Sequence, residues 1–199
     1  MKLKRIILIL LLACILLPLN AYSAQPIDIL QTAIDQVIFI LEDPAYQDES
    51  QKTLQKEKLW KIIREIFDFK EMSKRTLARN WKVFSSQQQT EFTEVFGDFL
   101  TANYLKKIQS GFEGEKVVYL DYEKISDTKA FVETKILRES VDIPVNYSML
   151  ISNNTWRIYD VKIEGVSLMK NYRVQFNNIL HKESPDQLIE TLRKKIQDK

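Results

Sequence analysis

One cysteine, one histidine and four glycines stand in a chain of 199 residues, and each scarcity removes chemistry. Cys14 lies inside an N-terminal apolar run that reads as an export signal, so the processed chain keeps no disulfide, no thiol nucleophile and no cysteine metal ligand. Its stability must come from packing alone. His181 falls late in a helical pattern and reads as a surface or helix-end residue. One histidine without cysteine builds no Cys/His metal set, and no cofactor follows from the sequence. The glycines, Gly97, Gly111, Gly114 and Gly165, form neither G-x-x-x-x-G-K-[ST] nor G-x-G-x-x-G, which excludes a phosphate-cradling loop. Ser167 stands in Gly165-Val166-Ser167-Leu168-Met169, where Met169 occupies the place a nucleophile elbow gives to glycine. Ser167 reads instead as a helix cap. Asp121 and Glu123 fall on one strand face, where they read as solvated carboxylates rather than an acid pair.

The composition is otherwise ordinary for a globular chain, with 45% apolar and 28% charged residues. Lys2, Lys4 and Arg5 precede an apolar stretch from Ile6 to Leu17, followed by Pro18, Asn20, Ala21 and Ser23. That pattern reads as a signal peptide over 1–23, cut after Ser23 or after Ala24, and too short for a membrane span. Leu11-Leu12-Ala13-Cys14 offers a lipobox as the rival reading, but the run stays apolar past Cys14. Without the three leading cations, 29 basic residues become 26 against 27 acidic ones. The pI near 8.5 therefore belongs to the precursor and is no nucleic-acid footprint. Residues 24–199 then read as one domain.

Helical spacing comes first along the chain. Ile27, Leu30, Ile34, Val37, Ile38 and Leu41 share one helix face, ended by Asp43-Pro44. Leu54, Leu59, Ile62, Ile63 and Ile66 give a second helix its face. Asp68 with Glu71 opens a third through Met72, Leu77 and Trp81, and Ser85 with Gln88 opens a fourth. That fourth helix carries an aromatic stripe of Phe92, Phe96, Phe99 and Tyr104. The period then changes to two over four strands: Lys116 to Lys124, the run around Ala130 to Ile136, Val141 to Ile151, and Trp156 to Ile163. Strict alternation sets Val117, Tyr119 and Asp121 against Val118, Leu120 and Tyr122. In the last strand it sets Arg157, Tyr159, Val161 and Ile163 against Trp156, Ile158, Asp160 and Lys162. Pro144 suggests an edge or a bulge in its strand. Ser152-Asn153-Asn154 reads as a tight hairpin. Gly165 breaks the last strand into a further helix, and Ser184-Pro185-Asp186-Gln187 starts the final one. Helices, an antiparallel four-stranded meander and helices again make an α+β fold.

Aromatic and aliphatic faces on both helices and sheet admit two readings. They close into a core, or they stay apart around an apolar cavity for a water-insoluble ligand. The run Trp156-Arg157-Ile158-Tyr159-Asp160-Val161-Lys162-Ile163-Glu164-Gly165-Val166-Ser167-Leu168, followed by Asn171-Tyr172-Arg173-Val174-Gln175-Phe176, resembles the C-terminal signature of the MlaC, or toluene-tolerance auxiliary, family. Phe67-Asp68-Phe69, Met72, Leu77, Trp81, Gln88, Phe92, Phe96 and Tyr104 extend the resemblance, as do Leu188, Ile189, Leu192 and Lys195. It departs at Ala78, where the family usually has glycine, and near Ser86, where proline or an acid is common.

The resemblance implies a curved sheet and helices enclosing an apolar cavity, in a periplasmic phospholipid carrier and not an enzyme. Such carriers hold lipid tails inside and leave the headgroup near solvent; because tail burial is largely blind to the headgroup, weak headgroup selectivity is expected. They exchange lipid with an outer-membrane lipoprotein complex and an inner-membrane ABC-transporter complex, and so maintain outer-membrane asymmetry. On apolar character and position in matching motifs, the expected lipid-binding residues are Phe67, Met72, Trp81, Phe92, Phe96, Phe99, Tyr147, Tyr159, Val166 and Tyr172. Asp160, Tyr172 and Arg173 are alternatively expected to brace the strand–helix corner. Two rival classes remain: a ligand-free periplasmic adaptor, and a small-molecule enzyme on the same cone-shaped scaffold.

Overall fold

The computed structural model describes residues 24–46, 48–138 and 141–197. The expected signal segment over 1–23 and part of the connection at Arg138-Glu139-Ser140 lie outside the described residues. Helix α1 spans Pro26–Glu42. Two short 3-10 turns, Pro44–Tyr46 and Glu49–Gln51, lead into α2, Lys52–Ile66. Helix α3, Phe69–Leu77, starts at Asp68, whose side chain accepts from the Glu71 N–H. It ends sooner than the sequence suggests, because Ala78 turns to positive φ and Ala78–Lys82, including Trp81, runs on as a 3-10 helix. Helix α4, Ser86–Gly111, opens on the expected capping box of Ser85 and Gln88.

Strands β1, Lys116–Ser126, β2, Lys129–Leu137, β3, Ile143–Ser152, and β4, Thr155–Ile163, pair antiparallel in sequence order. The sheet has five strands, one more than expected. After a turn at Glu164 and Gly165, both with positive φ, Val166–Ser167 folds back on β4 as a two-residue β5. Asn153 and Asn154, at φ 50° and 62°, make the two-residue hairpin between β3 and β4, the αL pair that right-twisted strands favour. Helix α5, Leu168–Leu180, and helix α6, Pro185–Gln197, complete the chain.

Three register shifts interrupt the strict alternation, one of them at Ile125 beside the β1–β2 turn. In β1, Tyr119 pairs with Thr134 and Asp121 with Glu133, so Leu120 is the extra residue. In β4, Ile158 pairs with Met149 and Asp160 with Ser148, so Tyr159 is extra. Each bulge moves the later residues to the opposite face. Trp156, Ile158, Val161 and Ile163 consequently join one apolar face, together with Val145 and Met149 of β3 and Val132 of β2. Tyr159 and Asp160 are turned away from it. Pro144 marks neither feature: its strand is flanked on both sides, and Pro144 stands near its start, where its carbonyl accepts from the Glu164 N–H at 2.9 Å.

Two large apolar clusters result, beside a small third one of Leu41, Leu59 and Leu105. Helices α1 and α2 cover the inner face of the sheet. Beside β4, helices α3, α5, α6 and the first half of α4 close a dense aromatic core. Phe92, Phe96, Tyr172 and Phe176 interlock there with ring centroids 5.4–5.8 Å apart. Phe67 and Leu168 pack against both clusters and divide them. Gly97 allows α4 to approach the start of α3, since a β-carbon there would come within 3.2 Å of the Phe69 ring.

Candidate functional site

Between α1, α2, the second half of α4 and the inner sheet face lies a cavity of about 460 Å³. Its wall is mainly aliphatic. Leu30, Ile34, Val37, Ile38 and Leu41 come from α1, and Leu59, Ile62, Ile63 and Ile66 from α2. Opposite them stand Val117, Ile136, Val145, Tyr147, Ile158, Val161 and Ile163 of the sheet. Leu100, Thr101, Tyr104, Leu105 and Ile108 of α4 close one side, and Phe67, Phe69, Met72 and Leu168 close the end toward the aromatic core.

Behind this wall α1, α2 and α4 meet in a small apolar cluster of Leu41, Leu59 and Leu105, with Val37, Ile40, Ile63 and Phe112 packed against it. Polar ties add to it. Gln55, only 2% exposed, donates to the Ile40 carbonyl at 3.0 Å and accepts from Gln109 at 2.9 Å, linking α1, α2 and α4. The Tyr122 hydroxyl meets the Gln25 side chain at 2.7 Å, and Tyr119 reaches Asp35 at 3.4 Å. Burial pushes the Tyr147 hydroxyl up to about 12, with its hydrogen bond to Thr134 working the other way, so this residue faces the cavity as a neutral phenol.

One end of the cavity is different. Lys107, Ile108 and Arg138 are the wall residues with exposed side chains, and they mark its mouth. Arg138 Nη2 lies 2.8 Å from Glu115 Oε1. Desolvation works to raise the Glu115 carboxyl, but hydrogen bonds from the backbone N–H groups of Glu113 and Glu115, with Arg138 beside it, hold it below its ordinary value. It is an anchored anion, the opposite of a carboxyl kept protonated for acid catalysis.

Of the ten residues expected to hold ligand, Phe67, Met72 and Tyr147 are on the cavity wall. The other seven are elsewhere. Phe92, Phe96, Phe99 and Tyr172 are buried in the aromatic core, with Trp81 packed against it. Tyr159, displaced by the bulge, lies 3.9 Å under the Arg75 guanidinium. Val166 is 60% exposed on β5. The physical reason is common to most of them: planar rings close efficiently on one another, whereas the open space is bounded by aliphatic side chains. The sequence did display those residues as the apolar stripes of α1 and α2. It gave no sign that the stripes face space instead of each other.

Of the three residues alternatively expected to brace the strand–helix corner by hydrogen bonds, Asp160 does so there. Asp160 accepts from the Ser167 hydroxyl at 2.6 Å and from the Met169 N–H at 3.1 Å, while Ser167 caps α5 by accepting from the Lys170 N–H. Arg173 donates twice to the Arg75 carbonyl, at 2.9 and 2.6 Å, tying α5 to α3. Tyr172 contributes by ring packing against Phe96 and Phe99. Among the described residues no helix is long and apolar enough to cross a membrane.

The same architecture occurs in a phospholipid-binding protein from Ralstonia solanacearum, solved in complex with a phospholipid. The likeness covers 88% of this chain and 98% of that one at a TM-score of 0.76, with 23% sequence identity. No curated protein matches the chain. The MlaC protein family matches it over residues 31–194, from within α1 to within α6. That match takes in every wall element of the cavity and both halves of the aromatic core, and the chain belongs to the MlaC family.

Proposed function

We propose that this protein is a periplasmic phospholipid carrier. It holds the acyl tails of a diacyl phospholipid in the cavity and moves the lipid between an outer-membrane lipoprotein complex and an inner-membrane ABC-transporter complex. The observation that carries the reading is the cavity itself. A largely apolar wall ends at one mouth where the cationic side chains begin, which matches the two halves of an amphiphile. Membership of the MlaC family and the likeness to a phospholipid-bound structure support it. The single charged carboxylate on the wall is an anchored anion at the mouth, which gives no support to acid–base catalysis inside.

Magnitudes favour a shuttle that releases only on contact. At about 0.8 kcal/mol per buried methylene, two tails with some 30 methylenes gain ~24 kcal/mol of gross transfer from water. Even a small part of that makes escape into buffer very slow, so the lipid leaves only to a membrane or an apolar partner. The test is a transfer assay with labelled dioleoyl phosphatidylglycerol. Loaded protein dialysed against lipid-free buffer keeps its lipid for hours and gives it up when acceptor vesicles are added. Loss within minutes in buffer alone would contradict the reading.

A further inference from the structure

The charged residues on the cavity wall, Lys107, Glu115 and Arg138, lie together with the exposed side chains of the mouth. An amphiphile whose tails fill the apolar space brings its first charged group to this point. For a diacyl phospholipid that group, just beyond the glycerol esters, is a phosphate. We propose that Arg138 is the phosphate receptor of the cavity, and that Glu115 occupies it while the cavity is empty. This rests on the phospholipid-carrier reading and adds to it a residue and an exchange.

Three observations carry the proposal. The guanidinium is the planar, always-charged fork that suits phosphate oxygens, and a carboxylate oxygen 2.8 Å from Nη2 already occupies one of its donor directions. The two partners are unequally held. The Glu115 side chain is 11% exposed and Arg138 47%, so the arginine is the one free to swing toward a ligand. Glu115 also has a second donor, because its Oε2 accepts from the Glu113 N–H at 2.8 Å. When Arg138 turns away, the carboxylate is not left without a partner, and the swap is cheap. Lys107, whose ammonium lies 5.8 Å from the Tyr104 ring centroid, adds a second positive charge to the same rim. Since every diacyl phospholipid carries the phosphate, this contact favours phospholipid over diacylglycerol without sorting headgroup alcohols.

The experiment measures release to acceptor vesicles of phosphatidylcholine from protein loaded with radiolabelled dioleoyl phosphatidylglycerol or with dioleoylglycerol. Arg138→Gln releases phosphatidylglycerol about tenfold faster than the native chain, equivalent to about 1.4 kcal/mol, and releases dioleoylglycerol at the native rate. Glu115→Gln, with no carboxylate competing for the guanidinium, releases phosphatidylglycerol more slowly than the native chain. Unchanged phosphatidylglycerol release from Arg138→Gln overturns the proposal, and so does equal acceleration of both lipids, which would mean a loosened mouth and no phosphate contact. Calorimetry of the empty protein with inorganic phosphate yields no Arg138-dependent heat; a clear heat would assign the site to free phosphate and overturn the lipid assignment. Failure of the native chain to load either lipid would instead strike the carrier reading beneath it.

Discussion

Ala78 holds a backbone conformation that glycine takes more readily, φ 50° and ψ −118°, at the exit of α3. The MlaC resemblance gives glycine at this position, and the geometry supplies the reason. Ala78→Gly relieves strain of about 1–3 kcal/mol, less the extra chain entropy of glycine, and so stabilises the fold by about 1 kcal/mol. Thermal unfolding should shift upward by about 2–4 °C. Asp160 is the opposite case. Its carboxylate serves the Ser167 hydroxyl and the Met169 N–H at the strand–helix corner, so Asp160→Ala leaves a capping hydroxyl and a helix N–H without their acceptor. A loss of about 2–3 kcal/mol in urea unfolding is expected, with the denaturant slope unchanged. Tyr147 gives a pH signature. Its hydroxyl is pushed from 10.0 to about 12 by burial. The neutral form is favoured in the folded chain, so this stabilisation is complete below pH 10 and is lost as pH rises toward 12. Tyr147→Phe should lose less stability than the native chain over that window, as read by melting temperature.

Elements carry the division between core and cavity. Helix α4 serves both with one long run of turns. Its early rings Phe92, Phe96 and Phe99 enter the aromatic core, while Leu100, Tyr104, Leu105 and Ile108, offset around the helix axis, face the cavity. The helix starts, the capping boxes, the Asn153-Asn154 hairpin and the antiparallel order were legible, because each rests on local backbone chemistry; the early end of α3 at Ala78 was not. The bulges were not. A single extra residue at Leu120 or Tyr159 leaves no mark on the composition of its strand, yet it reverses which side chains face inward. The cavity was legible only as a choice between two readings, since an amphipathic stripe looks the same whether it meets another stripe or empty space. Substitutions separate the two compartments. Phe96→Ala costs about 3–5 kcal/mol of stability and leaves lipid uptake per folded molecule unchanged. Ala33→Trp, on the cavity side of α1, should fold normally and lower uptake several-fold in the vesicle assay.

At the scale of the whole molecule, volume decides how the carrier must behave. At the ~30 Å³ that a water takes in the liquid, a size close to that of a methylene, the cavity admits roughly fifteen such units. That is about one long acyl chain, so the proposed diacyl cargo needs more room than this enclosed space alone. Helix α1 is held by side-chain bonds through Gln25, Asp35 and the Ile40 carbonyl and by the buried contacts of Leu30 and Leu41, whereas α5 is tied by Asp160 and Arg173. The measurement that tests the account most directly is a native mass spectrum of the protein, purified from its cells without detergent, followed by extraction of what it carries. The account predicts one added mass per chain in the range of a diacyl phospholipid, with headgroups in roughly membrane proportions. An empty chain that also takes no lipid from phospholipid vesicles would contradict it.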